Sequence, residues 1–331
     1  MTTAVMDALI LRGPNAPFTR ASIARPQPLV GEVLVRIKAS SVNPLDLKIR
    51  SGNAAHAKHP FPAILGMDLA GTIEALGAGE SRFAVGDDVY GLVGGVGGHQ
   101  GSLAQFAAVD ADLLAPKPSN LSMREAAALP LVFITAWEGL VDRAQVQARH
   151  KVLVLGAGGV GEMAIQIASA FGAEVFAVDK AAKGNIIERL GATAIDREQT
   201  TPQEYVGDHT GGHGFDVVYD TVGGVALDTA FNVVRRFGHV VSCLGWGTHS
   251  LAPLSFRAAS YSGVFTLLPM LTGKGRAHHG AILREAKRLA EAGKITPLVD
   301  PRRFSFETVA EAYGEIEKRT SNGKIVIDIA E

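Results

Sequence analysis

Cys243 is the only cysteine in the 331-residue chain. One thiol forms no internal disulfide and builds no thiolate-rich zinc site. Excess charge of either sign is also missing: 32 Lys and Arg stand against 33 Asp and Glu, a formal charge of −1. That leaves no basic footprint for nucleic acid. Long hydrophobic runs are absent as well. Ala126–Trp137, among the longest, is shorter than a membrane span and is broken by Pro130. Met1–Ile10 carries Asp7 and lacks a basic flank followed by a long apolar run, so no signal peptide is read there. These absences lead to the expectation of a cytoplasmic protein with neither a membrane nor a nucleic-acid partner.

Glycine is present in surplus, with 38 residues against 15 prolines. No triplet repeat accompanies it, which excludes a collagen-like chain. Hydrophobic residues at 47% and charged residues at 20% are ordinary globular values. The length suits two domains, each able to bury a core. The glycines therefore serve backbone geometry: turns, strand ends and close approach to a ligand.

The first part of the chain reads as β-rich. Glu32–Lys38 alternates, with Val33, Val35 and Ile37 on one face of a half-buried strand. Ala70–Leu76 and Asp88–Leu92 are further strands, and Gly94–Gly101 is too glycine-rich for a regular element. Ser122 with Glu125 forms a capping box that opens a helix. From Lys151 the pattern alternates strand and helix. Strands are read at Val152–Leu155, Glu174–Val178, Thr193–Ile195, Asp216–Tyr219 and His239–Leu244, with a helix from Val225 to Arg236. Such alternation means a doubly wound parallel sheet. Beyond it come an edge strand at Tyr261–Leu268, helices at Ala281–Ala292 and Phe306–Lys318, and a last strand at Lys324–Ile329. The expected division is 1–121, 122–270 and 271–331, the last part returning to complete the first domain.

Gly156-Ala-Gly-Gly-Val-Gly161 fits GxGxxG in its proper context. It follows a buried strand, opens a helix, and Asp179 ends the next strand. Gly156 permits the tight turn, Gly158 admits a pyrophosphate, and Gly161 allows helix and strand to pack closely. The N–H groups from Gly159 and Val160 onward, with the helix dipole, attract the anion. Asp179 suits the adenosine ribose hydroxyls and repels a 2′-phosphate, whereas Lys180 and Lys183 nearby could bind one. A solvated strand-end acid is the alternative for Asp179.

Several ordered motifs now resemble those of the medium-chain dehydrogenase/reductase superfamily, in its zinc-free quinone-oxidoreductase and alkenal/enone-reductase branch. They are Val42-Asn-Pro-Leu-Asp-Leu-Lys-Ile-Arg-Ser-Gly52, Gly66-Met-Asp-Leu-Ala-Gly71 and Gly101-Ser-Leu-Ala-Gln-Phe-Ala107, then Leu129-Pro130 with Thr135-Ala-Trp137, the glycine loop, Asp220-Thr-Val-Gly-Gly224 and Gly323-Lys-Ile-Val326. The resemblance implies an α/β protein with a GroES-like β-barrel catalytic domain from both chain ends and a Rossmann doubly wound parallel-sheet cofactor domain. It implies a cofactor cleft at their junction and a homodimer. Thr135, Thr221, Gly245 and Lys324 join the glycine loop as expected cofactor contacts.

In the zinc alcohol dehydrogenases, residues matching Asn43, Met67 and roughly Leu131 would be metal ligands, and none is a usual one here. His56 and His59 lack a third ligand and read as solvent-facing; His278 and His279 read as solvated. The resemblance therefore implies hydride transfer from NAD(P)H, without zinc, to a small pre-activated acceptor: a quinone or an α,β-unsaturated carbonyl. The branch favours NADPH, whereas Asp179 and the loop length favour NADH. Lys48 matches a histidine near the alcohol-dehydrogenase active site and could stabilise the oxyanion or donate a proton; pairing with Asp46 at the surface is the alternative. Asn43 could hold the ribose or the substrate oxygen. Cys243 reads as a small buried filler. Two other functions fit the motifs: a zinc-free alcohol or carbonyl oxidoreductase, and a non-enzymatic dinucleotide-binding redox sensor.

Overall fold

A computed structural model describes residues 4–329; Met1–Thr3 of the opening segment lie outside them. The chain forms two compact units. One comprises residues up to Leu131 and from Leu267 onward, the other Val132–Thr266.

The first unit opens with the antiparallel hairpin β1 (Val5–Leu11) and β2 (Phe18–Ala24). β3 (Glu32–Ser41) buries Val33, Val35 and Ile37, but Leu34 is buried too. Leu34 packs with Met6, Ala8 and Phe106, so the opening hairpin covers the face expected to meet water. α1 (Pro44–Arg50) follows, then β4 (Asp68–Leu76), β5 (Asp88–Leu92), β6 (Phe106–Asp110) and β7 (Leu114–Pro116). Ser122 and Glu125 cap α2 (Met123–Ala127) reciprocally, the Ser122 hydroxyl and N–H both donating to Glu125. α2 packs on β3 and β4, which carries the first unit to Leu131 rather than 121. α3 (Pro130–Trp137) leads into the second unit.

That unit alternates β8 (Lys151–Leu155), α4 (Gly159–Ala170), β9 (Glu174–Asp179), α5 (Gly184–Arg189) and β10 (Thr193–Asp196). It continues with α6 (Pro202–Thr210), β11 (Phe215–Asp220), α7 (Val225–Val233), β12 (Val234–Ser242), α8 (Ala252–Arg257) and β13 (Ser260–Gly263). All pairs are parallel, in the order β10-β9-β8-β11-β12-β13. Successive strands run outward from β8 in one direction and from β11 in the other. The order therefore reverses between β8 and β11, where sheets of this kind bind ligands beyond the strands' carboxyl ends.

Several elements differ in their bounds from the sequence reading; β12 begins at Val234 rather than His239 and α10 at Arg276 rather than Ala281, and for two others the contacts give the reason. α7 stops at Val233 because Val234 already pairs with Phe215 in the sheet, and Asp216 holds Arg235 at 2.5 Å. The strand expected to reach Leu268 ends at Gly263. Past it, Thr266 bonds to Thr135 and Glu138, drawing the chain off the sheet edge, and Pro269 favours α9 (Leu268–Thr272). α10 (Arg276–Glu291), α11 (Val309–Glu317) and β14 (Val326–Asp328) return to the first unit. There β14 pairs antiparallel with β3, in a sheet ordered β14-β3-β4-β5-β7 with β6 also on β3.

Candidate functional site

In the second unit the loop between β8 and α4 assigns its glycines different tasks. Gly156 has φ +90°, and a Cβ there would meet Val222 at 2.6 Å and Thr221 at 2.8 Å. A Cβ on Gly161 would lie 1.8 Å from the Gly156 carbonyl oxygen, so only glycine lets α4 sit this close to the loop. Gly158 differs: a Cβ there meets nothing within 4 Å. No side chain caps α4. The N–H groups of Gly159, Val160 and Gly161 in its first turn have no intrahelical acceptor. An open glycine face against an uncapped helix N-terminus fits a dinucleotide pyrophosphate.

Asp179, half-buried at the end of β9, accepts from the Ala157 N–H and the Lys180 N–H, both at 2.7 Å. Two N–H donors fix the carboxylate and leave it lone pairs for a ribose diol. Lys183 is committed elsewhere, its Nζ lying 3.3 Å from Oε1 of Glu162. Thr221 donates its hydroxyl to the carbonyls of Leu155 and Gly156 and so ties the loop after β11 to the glycine loop. Asp220, fully buried, accepts from the N–H groups of Val222 and Gly223 and from the Ser242 hydroxyl. Thr135 shares a hydroxyl contact with Thr266, and its carbonyl accepts from Tyr219. Gly245 is exposed, and a Cβ there would meet the Tyr261 hydroxyl at 2.2 Å. Burial pushes the Cys243 thiol up to about 12, with Asp220 adding to the shift, so it is not a thiolate at neutral pH.

The first unit brings Asn43, Asp46 and Lys324 together around a residue the sequence reading had not singled out, Asp68. Asp68 is fully buried at the start of β4. It accepts from the Ser41 hydroxyl at 2.8 Å, the Asn43 side-chain amide at 3.0 Å and the Leu131 N–H at 2.9 Å. Lys324 Nζ lies 3.7 Å from it and donates to the Asn43 side-chain carbonyl. Burial pushes the Lys324 ammonium down, and the Asp68 and Asp46 charges oppose that. Asp46 accepts from the Asn43 N–H at 2.8 Å and the Gly66 N–H at 3.1 Å. Lys48 is exposed on α1, so it does not share the buried environment of Asp46. No ion pair joins those two among the described residues. Asp68 and Lys324 each stand alone as a charge beside an apolar stretch, the one signal that could have paired them.

Burial, with the Asp68 charge adding to it, pushes the Asp46 carboxyl up to about 7 against the two N–H bonds and Lys324. The folded protein thus holds this proton more tightly than the unfolded chain does. The stability this group contributes is complete below about pH 4 and is lost as pH rises through about 7. Asp46→Asn removes the titration. Relative to wild type, its unfolding free energy should improve by about 2 kcal/mol between about pH 5 and about pH 8. Replacing one N–H acceptor adds an offset that does not change with pH. Urea titrations of both proteins across that range check the slope, and parallel profiles would place the proton elsewhere.

His278 is exposed as expected, but the other histidine readings need correction. His279 is fully buried in α10, because it lies on the helix face carrying Ile282, Leu283 and Ala286. His56 and His59 are half-buried, and burial lowers the pKa of His59.

Residues 30–119 match the alcohol dehydrogenase GroES-like domain, 190–327 the zinc-binding dehydrogenase family, and 140–208 the C-terminal domain of alanine dehydrogenase/PNT. A 2-methylene-furan-3-one reductase of Solanum lycopersicum is 35% identical, over 93% of this chain and 74% of its own length. An NADPH-dependent alkenal/one oxidoreductase, chloroplastic, of Arabidopsis thaliana is 34% identical over the same shares. The crystal structure of an alcohol dehydrogenase superfamily protein from Novosphingobium aromaticivorans superposes with a TM-score of 0.96 at 57% identity. It covers 98% of this chain and 100% of its own. The chain belongs to the medium-chain dehydrogenase/reductase superfamily, as its ordered motifs predicted.

One matched family is named for zinc, but the side chains at the expected ligand positions are not zinc donors. The Asn43 amide is spent on Asp68 and Lys324, Met67 is fully buried, and Leu131 offers no donor side chain. Among the described residues no group of three His, Cys, Asp or Glu is placed to hold a metal. These side chains do not fit zinc.

Proposed function

We propose that this protein is a zinc-independent reductase that uses NAD(P)H to reduce a quinone or an α,β-unsaturated carbonyl. The observation that carries the reading is the buried Asn43–Asp68–Lys324 network, which commits Asn43, at one of the family's ligand positions, to hydrogen bonds with both members of an ion pair. A simple alcohol or ketone needs its oxygen polarised by an electrophile such as a metal. A quinone or an enone is already polarised by conjugation and needs only hydride and a proton. The related enone and alkenal reductases support the same acceptor class.

When bound, the reduced nicotinamide supplies the hydride. The chain's residues do the remaining work in this proposal. Gly158 with the N–H groups of Gly159, Val160 and Gly161 holds the pyrophosphate, and Asp179 takes the ribose hydroxyls. Asp220 and Thr221 keep the two loops in register, while Thr135 and Gly245 face the nicotinamide end. Lys324 holds Asn43 and Asp68 in place within the first unit. Lys48 offers an exposed ammonium to the oxyanion that forms when hydride reaches the β-carbon, and Asn43 and Asp46 fix the start of its helix. Hydride and one proton together convert the conjugated double bond to a saturated carbonyl, or a quinone to a hydroquinone.

The free outer edge of β13 and the partly exposed Tyr261 upon it support a homodimer formed through that edge. A single cysteine, unpaired, suits a reducing, cytoplasmic setting.

The test is a steady-state assay of NADH and NADPH oxidation with quinones, enones, alkenals and simple aldehydes. A conjugated acceptor should exceed every simple aldehyde by about a hundredfold or more in kcat/KM. Oxidation of simple alcohols at comparable efficiency, or no turnover with any conjugated acceptor, would sink the reading.

A further inference from the structure

Glu162 lies in the first turn of α4, directly after the last glycine of the loop, and is only 5% exposed. A carboxylate in so dry a place needs a partner. Its partner is Lys183, which reaches in from the short turn after β9 with Nζ 3.3 Å from Oε1. Lys183 keeps 33% of its side chain exposed, so it stands at the edge of this pocket rather than deep within it. The same strand end carries Asp179, whose carboxylate is pinned by two backbone N–H groups.

We propose that Glu162, which need not touch the cofactor, sets the choice between NADH and NADPH by holding Lys183 away from the adenosine 2′ position. The inference rests on the reading that Gly156–Gly161 and Asp179 hold the dinucleotide. A 2′-phosphate carries close to two negative charges and needs a lysine or arginine within hydrogen-bond reach. Here Asp179 already repels it, and the charge of Lys183 is spent on Glu162. Lys180, the other lysine of this turn, is exposed and among the described residues no ion pair orders it, so water and salt screen its charge and it offsets Asp179 only weakly. The arrangement thus favours the dinucleotide with a free 2′-hydroxyl. It does so through two residues, because Asp179 sets the repulsion and Glu162 withholds the compensating cation.

Glu162→Gln keeps the shape and removes the charge, releasing Lys183 to swing toward the 2′ substituent. Calorimetric titration with 5′-AMP, 2′,5′-ADP, NADH and NADPH measures this without turnover. Wild type should bind NADH more tightly than NADPH by about tenfold or more. Glu162→Gln should bind 2′,5′-ADP at least about fivefold more tightly while 5′-AMP changes by less than about twofold. In Glu162→Gln/Lys183→Met that gain should vanish, and Lys183→Met alone should leave 2′,5′-ADP within about twofold of wild type. The single lysine variant carries the test even where the buried Glu162 variant fails to fold. Equal affinity for 2′,5′-ADP in wild type and a folded Glu162→Gln overturns the proposal, as does a gain that persists without Lys183. A loss of 2′,5′-ADP binding in Lys183→Met of about tenfold also overturns it, because Lys183 would then already serve the phosphate. Failure of wild type to bind either NADH or 5′-AMP would remove the underlying reading of the glycine loop itself.

Discussion

Replacing Asp68 with alanine should destabilise the protein by about 3–5 kcal/mol, among the largest effects of any single substitution in the first unit. Asp68 is fully buried and collects the Ser41 hydroxyl, the Asn43 amide, the Leu131 N–H and the charge of Lys324. Alanine strands all of these donors, and the Lys324 ammonium, only 10% exposed, is left as a buried cation without its anion. Removing both partners is milder. Asp68→Ala/Lys324→Met should recover at least about half of the loss, because the cation leaves with the anion. Urea unfolding of the two single variants and the double variant completes the cycle. Strictly additive losses, or a loss below about 1 kcal/mol in Asp68→Ala, would show that the network is not a coupled unit.

Gly158→Ala and Gly161→Ala should part company, although both alter the same motif. Gly158 has φ −87°, and its missing Cβ points into open space, so alanine should cost about 1 kcal/mol or less in stability. On the proposed reading the methyl nevertheless stands where the pyrophosphate approaches, and NADH affinity should fall by about a hundredfold. Gly161→Ala drives a methyl into the Gly156 carbonyl, which is backbone and cannot swing aside. That variant should lose about 2–3 kcal/mol or more of stability as α4 is pushed from the loop, and cofactor binding with it. Calorimetry with NADH and thermal unfolding separate the two. Should Gly158→Ala bind NADH within about threefold of wild type, the pyrophosphate does not rest on Gly158.

Local features were legible in the sequence. The capping box at Ser122, the apolar run of β8, the helical face of α4 and the acid ending β9 all depend on residues a few positions apart. Periodicity and turn chemistry therefore reveal them. The relation of Asp46 to Lys48 was also within reach. Residues two apart on a helix point to different faces, and α1 indeed buries one while exposing the other. The sequence reading places no helix between Pro44 and Arg50 and so does not separate the two faces. The burial of His279 was missed for the same kind of reason, since it follows from which face of α10 meets the rest of the unit.

By itself the sequence determined the GxGxxG loop, the alternating parallel sheet, the superfamily and the residue types at positions 43, 67 and 131. Each follows from residue type at fixed spacing. Only the tertiary structure decided which charges meet. Lys324 reaches Asn43 and Asp68 because β14 returns to pair with β3, and Lys183 reaches Glu162 because β9 lies beside β8. Such pairings join residues far apart in the chain, and their strength comes from the loss of water on folding, which no spacing in the sequence records.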